Sequence, residues 1–159
     1  IAMIYQEPMA SLNPAMKIGK QLMEVPMIHE GISQEAAYAR ALEVVTDVKL
    51  PDPERILKSF PHQLSGGQQQ RTSIGRALIQ QRSIFVGDEP VANVDEYQAE
   101  RLLRLICQQH QTVVLALHDI EQALQFCTRI IGLKDGAIAL DAASDQLSAS
   151  DLASLYDAV

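Results

Sequence analysis

A helix start with two glycines in its first turn constrains this chain more than any other stretch. Residues 60–76 read FPHQLSGGQQQRTSIGR, in which Ser65 and Gln68 form the S-x-x-Q pattern of a capping box. Apolar residues then recur at helical spacing, which predicts a helix of about four turns. Gly66 and Gly67 each cost about 1 kcal/mol relative to alanine in a helix. A capped surface helix is one interpretation, but free N–H groups without Cβ atoms favour phosphate binding.

Two adjacent carboxylates follow a short apolar run further along the chain. Residues 83–87 (SIFVG) predict a buried strand that ends at Asp88 and Glu89. Sheets of α/β proteins place ligands at the carboxyl ends of their strands. One acid there can hold Mg²⁺ on phosphates through water, and the next can orient and deprotonate an attacking water. Taken alone, such a pair is often only an acidic turn; here it follows LSGGQQQR by a short helix and a strand, which favours the metal and water roles.

Composition excludes several classes of protein. With 159 residues and 47% apolar content, the chain is expected to form one domain, or part of one, with a buried core. The formal net charge of −7 argues against a nucleic-acid partner, because no basic face is available for phosphates. Cys107 and Cys127 lack metal-ligand spacing and are expected to be reduced thiols of a cytosolic protein. No apolar run approaches the roughly 20 residues of a membrane span.

The other segments alternate between helix and strand patterns. An apolar run at residues 1–5 predicts a buried strand, and helices follow between residues 17 and 58, the first interrupted by Pro26. Ser33 and Pro53 are expected to begin two of these helices. The later predicted elements are a helix at residues 96–109, a buried strand at 112–117, a helix at 120–126, strands at 129–133 and 137–140 joined by Lys134-Asp135-Gly136, and two short helical pieces reaching Tyr156.

Taken in order, these stretches resemble the ATP-binding cassette of ABC-type ATPases over essentially the whole chain. LSGGQ followed by QQR resembles the signature motif, IYQEPMASLNP the Q-loop, and the segment ending in Asp88-Glu89-Pro90 the Walker B motif. Ala92-Asn93-Val94-Asp95 stands where the family has its D-loop. The resemblance implies an α/β fold, a partial P-loop NTPase with a doubly wound sheet. It places a helical subdomain at about residues 8–80 and the catalytic core at 1–7 and 81–159.

The resemblance also implies roles for individual residues. It makes Glu89 the catalytic base, His118 the switch histidine at the γ-phosphate, and Gln6 the Q-loop glutamine near magnesium and the attacking water. Asp88 becomes the acid that holds the metal. The residues implied to bind nucleotide are Ser65, Gly66, Gly67, Gln68 and Asp95. Two positions depart from the family pattern. Gly87 replaces an apolar residue and is expected to weaken packing, and Asn93 replaces a small residue and could alter contact with a partner subunit.

ATP and Mg²⁺ are the substrate and the cofactor that the resemblance implies. The implied partners are a second ABC ATPase subunit, identical or not, and transmembrane permease subunits that contact the Q-loop region. Two copies would enclose two ATP molecules, with the helix at Ser65 of one copy closing on the nucleotide of the other. The expected location is peripheral, at the cytoplasmic face of the inner membrane.

The sequence contains no G-x-x-x-x-G-K-[ST] phosphate-binding loop, since its Gly19-Lys20 pair is followed by Gln21. The resemblance places that loop upstream of Gln6. We therefore expect a truncated cassette that is inactive alone. The strand that carries the missing loop would lie beside the strand at 112–117 in this family, so that strand is expected to have an open edge.

Different parts of the chain resemble different subfamilies of importer ATPases. Residues 3–71 resemble ATPases of oligopeptide, dipeptide or nickel importers, whereas residues from 112 onward resemble those of phosphonate importers. Peptide import is favoured, because the first match is longer. The alternatives are a non-catalytic remnant and a non-transport ABC ATPase that acts on nucleic acid or ribosomes.

Overall fold

The computed structural model describes residues 1–7 and 11–155 of the chain. They belong to two compact units, Ile1–Leu115 and Ala116–Val159. Residues 8–10 of the predicted Q-loop and the predicted helical end at Tyr156 lie outside the described residues. The division into a helical subdomain and a catalytic core stays a prediction.

A three-stranded sheet carries the first unit. Its strands are β1 (Ala2–Ile4), β2 (Ile84–Asp88) and β3 (Thr112–Ala116), in the order β1-β2-β3. β1 and β2 are parallel, with Ile4 opposite Gly87. The residues that follow these two strands therefore emerge at the same edge of the sheet.

Five helices of the first unit have bounds close to those predicted. The Ser33 hydroxyl caps the second, accepting from the Ala36 amide at 3.2 Å, and Pro53 opens the third, so both predicted starts are confirmed. The helices are α1 (Ile18–His29), α2 (Gln34–Asp47), α3 (Pro53–Lys58), α4 (Gly66–Leu78) and α5 (Glu96–Gln109). The first three pack against one another, and α4 packs against α1, α2 and β1.

Helix α1 does not stop at Pro26, so the predicted interruption is wrong. The helix continues to His29, and the Pro26 carbonyl accepts a hydrogen bond from the Glu30 amide at 3.1 Å. A proline inside a helix removes one backbone donor. Here its ring is buried, and packing of the apolar face offsets that loss.

The core of the first unit lies on one face of the sheet. Ala2 and Ile4 of β1 are buried while Met3 between them is exposed, which is the alternation of a strand covered on one side. Phe85 of β2 is fully buried on the covered side. Helix α4 packs against β1, and further buried apolar side chains of the first unit come from α4 and α5: Ile74, Ala77, Leu78, Leu102, Leu103 and Ile106.

Strand β3 is not the buried strand that its apolar sequence predicts. Its residues alternate between exposed and partly exposed, and Val114 is 55% exposed. The reason is its place in the sheet, because the strand order puts β3 at an edge, where β2 is its one neighbour among the described residues. An apolar run predicts a strand but does not say how many neighbours cover it.

The described part of the second unit, residues 116–155, contains a hairpin, two α-helices and a short 3-10 helix at Ser144–Gln146. Strands β4 (Arg129–Lys134) and β5 (Ala137–Ala143) are antiparallel, and helices α6 (Ile120–Phe126) and α7 (Ala149–Ala153) flank them in sequence. Asp135 and Gly136 both have positive φ angles, 53° and 76°, as a type I′ turn requires. The predicted Asp-Gly turn is therefore confirmed.

The exposed edge strand leads to a prediction about self-association. Edge strands pair with other chains unless a charge opposes it. We expect the chain to associate through β3, and Val114→Lys to lower this association at little cost in folding. Sedimentation velocity over a range of concentrations measures the effect.

Tyr97→Lys is the matched control, because Tyr97 is a similarly exposed apolar residue (68%) on α5. It should leave the association unchanged. A parent chain that is monomeric at all concentrations, or an equal effect of the two lysines, contradicts the prediction.

Candidate functional site

Two side chains with predicted catalytic roles meet at the edge where β1 and β2 end. Gln6 follows β1, Glu89 follows β2, and the Gln6 Nε2 donates a hydrogen bond to the Glu89 Oε2 at 3.4 Å. A bond of this length is weak, so both groups can turn to another partner. Asp88, the predicted metal ligand, is the last residue of β2, and it is exposed. The structure therefore brings Gln6, Asp88 and Glu89 to one sheet edge.

The backbone of Glu89 adopts an unusual conformation. Its φ angle is 44°, in the left-handed region that costs a non-glycine residue roughly 1–2 kcal/mol. The Glu89 carbonyl accepts from the Ala92 amide at 3.2 Å. The turn that follows β2 therefore aims the carboxylate toward Gln6 at some cost, and neighbouring contacts must hold it.

One such contact comes from Gln70, a residue that sequence reasoning missed. Its side chain is fully buried, and its Nε2 donates to the carbonyls of Pro90 at 2.5 Å and Glu89 at 3.5 Å. The signal was present in the sequence, because Gln70 precedes Ile74 by one helical turn and shares the buried face of α4. A glutamine on an apolar stripe indicates a specific polar contact.

The N-terminus of α4 has the capping box that the sequence predicts. The Ser65 hydroxyl accepts from the Gln68 amide at 3.4 Å, and the Gln68 Oε1 accepts from the Ser65 amide at 3.0 Å. A Cβ atom added to Gly66 would meet no described atom within 4 Å. The first turn of α4 therefore presents its backbone to open space, with the positive end of the helix dipole behind it.

Gly67 faces inward, toward the predicted D-loop. A Cβ atom at Gly67 would lie 3.0 Å from the Asn93 carbonyl oxygen. Asp95 caps α5, since its carboxylate accepts from the Gln98 amide at 3.0 Å. The absence of a side chain at Gly67 thus allows the start of α4 and the segment before α5 to pack closely.

Arg71 ties α4 to its neighbours and is a second residue whose role sequence reasoning missed. Its guanidinium donates to the Lys49 carbonyl at 2.7 Å and to the Gln98 Oε1 at 2.6 Å. Burial lowers the pKa of Arg71, and the nearby Asp95 carboxylate partly opposes that shift. The end of α2, the signature-like helix α4 and the start of α5 are therefore joined through one side chain.

His118 belongs to the second unit. It is exposed and lies just before Asp119, whose carboxylate caps α6 by accepting from the Gln122 amide at 3.0 Å. Its predicted contact with the γ-phosphate stays a prediction, as do the nucleotide contacts of Ser65, Gly66, Gly67, Gln68 and Asp95.

The oxygen donors at the sheet edge fit a magnesium ion that arrives with phosphates. Mg²⁺ prefers oxygen ligands and usually takes one or two protein carboxylates, keeping waters and phosphates for its other positions. Asp88 offers an exposed carboxylate, and Gln6 offers an amide oxygen. Within residues 1–7 and 11–155, no three His, Cys, Asp or Glu side chains cluster into a ready-made metal site.

A family model described as ABC transporter matches residues 1–92. The chain belongs to the ABC transporter family. No helix in the described part of this family member is long and apolar enough to cross a membrane.

Curated relatives of this ABC chain include ATP-binding proteins of peptide transporters. It is 36% identical over 156 residues to the probable peptide ABC transporter ATP-binding protein y4tR of Sinorhizobium fredii, covering 96% of the chain and 45% of that protein. It is 34% identical to the oligopeptide transport ATP-binding protein OppD of Salmonella typhimurium, covering 86% and 42%. It is 37% identical to the glutathione import ATP-binding protein GsiA of the same species, covering 86% and 22%. The chain thus spans less than half of each relative.

Solved structures confirm the predicted fold class. The ATP-binding cassette MJ0796, in a dimeric post-hydrolysis state bound to ADP and Pi, matches with a TM-score of 0.80 and 32% identity, over 90% of this chain and 62% of that one. An ATP-binding subunit of an ABC transporter matches with a TM-score of 0.79 over 98% of this chain and 68% of that one, and at 21% identity it shows the fold alone. The fold is the mixed α/β P-loop NTPase fold of ABC cassettes. The relatives and structures named here lend no support to the phosphonate resemblance.

Gly87 does not loosen the packing, which corrects the expectation from the sequence. A Cβ atom there would lie 2.9 Å from Phe85 Cε1, 3.0 Å from Pro90 Cγ and 3.2 Å from Leu115 Cδ2. Neighbouring side chains already fill the space that an apolar residue would occupy. A larger residue at this position must displace all three.

We therefore predict that Gly87→Val destabilises the protein, although the family usually has an apolar residue there. Overpacking of this kind lowers the free energy of unfolding by roughly 1–3 kcal/mol. Urea denaturation followed by circular dichroism measures the change. Gly66→Ala is the control, because its Cβ atom meets open space, and it should keep or raise the midpoint, since alanine favours a helix over glycine. A higher midpoint for Gly87→Val contradicts the prediction.

Proposed function

We propose that this chain is part of an ATP-hydrolysing subunit of an ABC importer, which powers uptake of a small solute. It supplies the residues that act on ATP at the ends of β1 and β2, and the signature helix α4. Peptides are favoured over other substrates. The observation that carries the proposal is the meeting of Gln6 and Glu89 beside Asp88, at the carboxyl ends of two parallel strands. The printed functions of the relatives, peptide transport and glutathione import, support the substrate class. We infer a peripheral location at the cytoplasmic face of the inner membrane.

In this proposal Glu89 is the general base. Its carboxylate takes a proton from a water whose oxygen attacks the γ-phosphorus of ATP, and the bond from that phosphorus to the bridging oxygen of ADP breaks. Gln6 can orient the same water once its amide leaves the weak contact with Glu89. Asp88 would hold Mg²⁺, which when bound neutralises charge on the phosphates. His118 contacts the γ-phosphate in this scheme.

The N-terminus of α4 serves a second nucleotide, bound by another ABC subunit. Ser65, Gly66 and Gly67 present a hydroxyl and backbone amides that suit phosphate oxygens. Gln68 supports them through the capping box, and Asp95 holds the adjoining segment at the start of α5. The dimeric state of MJ0796 supports such an arrangement. Permease subunits would contact the Q-loop region.

A fusion cassette tests these roles. The N-terminal segment of a related importer ATPase, which contains a G-x-x-x-x-G-K-[ST] loop, is fused before Ile1 of this chain. Glu89→Gln should keep ATP binding and lower hydrolysis by about 100-fold or more, because an amide cannot take the proton from water. The dimer should then persist with ATP and Mg²⁺, as gel filtration shows.

Ser65→Arg in the same cassette should give a different defect. A bulky cation at the start of α4 opposes the helix dipole and obstructs the facing phosphate. Each monomer should bind ATP, but no dimer should form, and the double variant should behave like Ser65→Arg. The chain without the added loop is the control and should release no phosphate, since this catalysis depends mostly on positioning. A monomeric Glu89→Gln beside a dimeric Ser65→Arg contradicts the assignment.

A further inference from the structure

We propose that Gln70 is a positioning residue for Glu89, and that it links the helix facing one nucleotide to the glutamate that acts on the other. The inference rests on the proposed function, in which Ser65 and Glu89 of one chain serve different ATP molecules. The Gln70 side chain joins α4 to the backbone of Glu89 and Pro90 by hydrogen bonds.

The geometry of the Gln70 amide admits one orientation. Its Nε2 lies 2.5 Å from the Pro90 carbonyl oxygen and 3.5 Å from the Glu89 carbonyl oxygen. A rotated amide would set two oxygens 2.5 Å apart, which is strongly repulsive. The Oε1 has no hydrogen-bond partner among the described residues. Burying the Oε1 without a hydrogen bond lowers the stability of the fold. We therefore expect the Gln70 amide to have a role beyond packing.

Two successive glutamines anchor α4 to different segments. Gln69 Nε2 donates to the carbonyls of Pro61 and Leu64, at 2.9 and 3.0 Å, and so holds the segment that enters the helix. Gln70 holds the turn that carries Glu89. A shift of the N-terminal end of α4 therefore acts directly on that turn.

The conformation of Glu89 makes this contact consequential. Its left-handed backbone, at φ 44°, is costly for a residue with a side chain, and it persists where the surroundings hold it. The bonds from Gln70 reach two successive carbonyls, those of Glu89 and Pro90. When α4 closes on the partner's nucleotide, the same helix movement places the Glu89 carboxylate, which couples hydrolysis to closure.

Hydrogen exchange on the chain itself provides the first test. Gln70→Met keeps the size of the side chain and removes the donor, so the turn that is closed by the Ala92 amide should loosen. Exchange at Ala92 should rise about fivefold or more, the factor expected for losing one hydrogen bond, while amides of β1 and β2 stay protected. The matched control is Gln80→Met, because Gln80 lies just beyond the other end of α4 and its Nε2 donates to the Arg76 carbonyl of that helix at 3.0 Å. Unchanged exchange at Ala92, or equal changes in both variants, overturns the proposal.

Turnover of the fusion cassette provides the second test. Gln70→Met should lower kcat about 10- to 100-fold, as misplacement of a catalytic group does, with KM and ATP-dependent dimerisation retained. Gln70→Glu can donate when its buried carboxyl is protonated, so its kcat relative to the parent should recover as pH falls. Gln80→Met should turn over like the parent.

The two proposals fail in different ways. An unsubstituted fusion cassette that hydrolyses no ATP contradicts the proposed function, while the exchange result for Ala92 still decides whether Gln70 holds the turn. A Gln70→Met cassette with full kcat, in an active parent, overturns the positioning role and leaves the proposed function standing.

Discussion

The parallel pairing of β1 with β2 is the constraint on which the candidate site depends. With Ile4 opposite Gly87, the loops that leave both strands begin side by side, and Gln6 reaches Glu89. A slip by one residue would reverse which side chains point into the core, so burial of Ala2, Ile4 and Phe85 specifies the register strongly. The same apolar burial that stabilises the sheet therefore sets the distance between two groups proposed to act on one water.

Helix α4 is the second element that the site requires, and its N-terminus and its buried face have different roles. Its capped N-terminus exposes backbone amides, while its buried face packs on the sheet and reaches Glu89 through Gln70. Arg71 extends the connection to α2 and α5. In the proposed mechanism, contacts made at the exposed end of α4 reach the turn that carries Glu89 through these hydrogen bonds.

Features that depend on neighbouring residues in the sequence could be predicted, and features that depend on tertiary neighbours could not. The capping box at Ser65 and the Asp-Gly turn follow from local backbone chemistry. The exposure of β3, the packing around Gly87 and the contact of Gln70 with Glu89 depend on segments far apart in the chain. The order of the motifs predicted the family and the roles of Gln6, Asp88 and Glu89. The hydrogen-bond partners of these residues could be identified only from the three-dimensional structure.

A structure of the Glu89→Gln fusion cassette with ATP and Mg²⁺ would show whether one γ-phosphate is held by groups of two chains, since it locates every proposed group around that phosphate. We predict that Gln6 and residue 89 of one chain lie at the same γ-phosphate as Ser65 and Gly67 of the other chain, an arrangement in which Gln70 keeps its bonds to the carbonyls of residues 89 and 90. A γ-phosphate contacted by Ser65 and residue 89 of the same chain, or by neither, would contradict it.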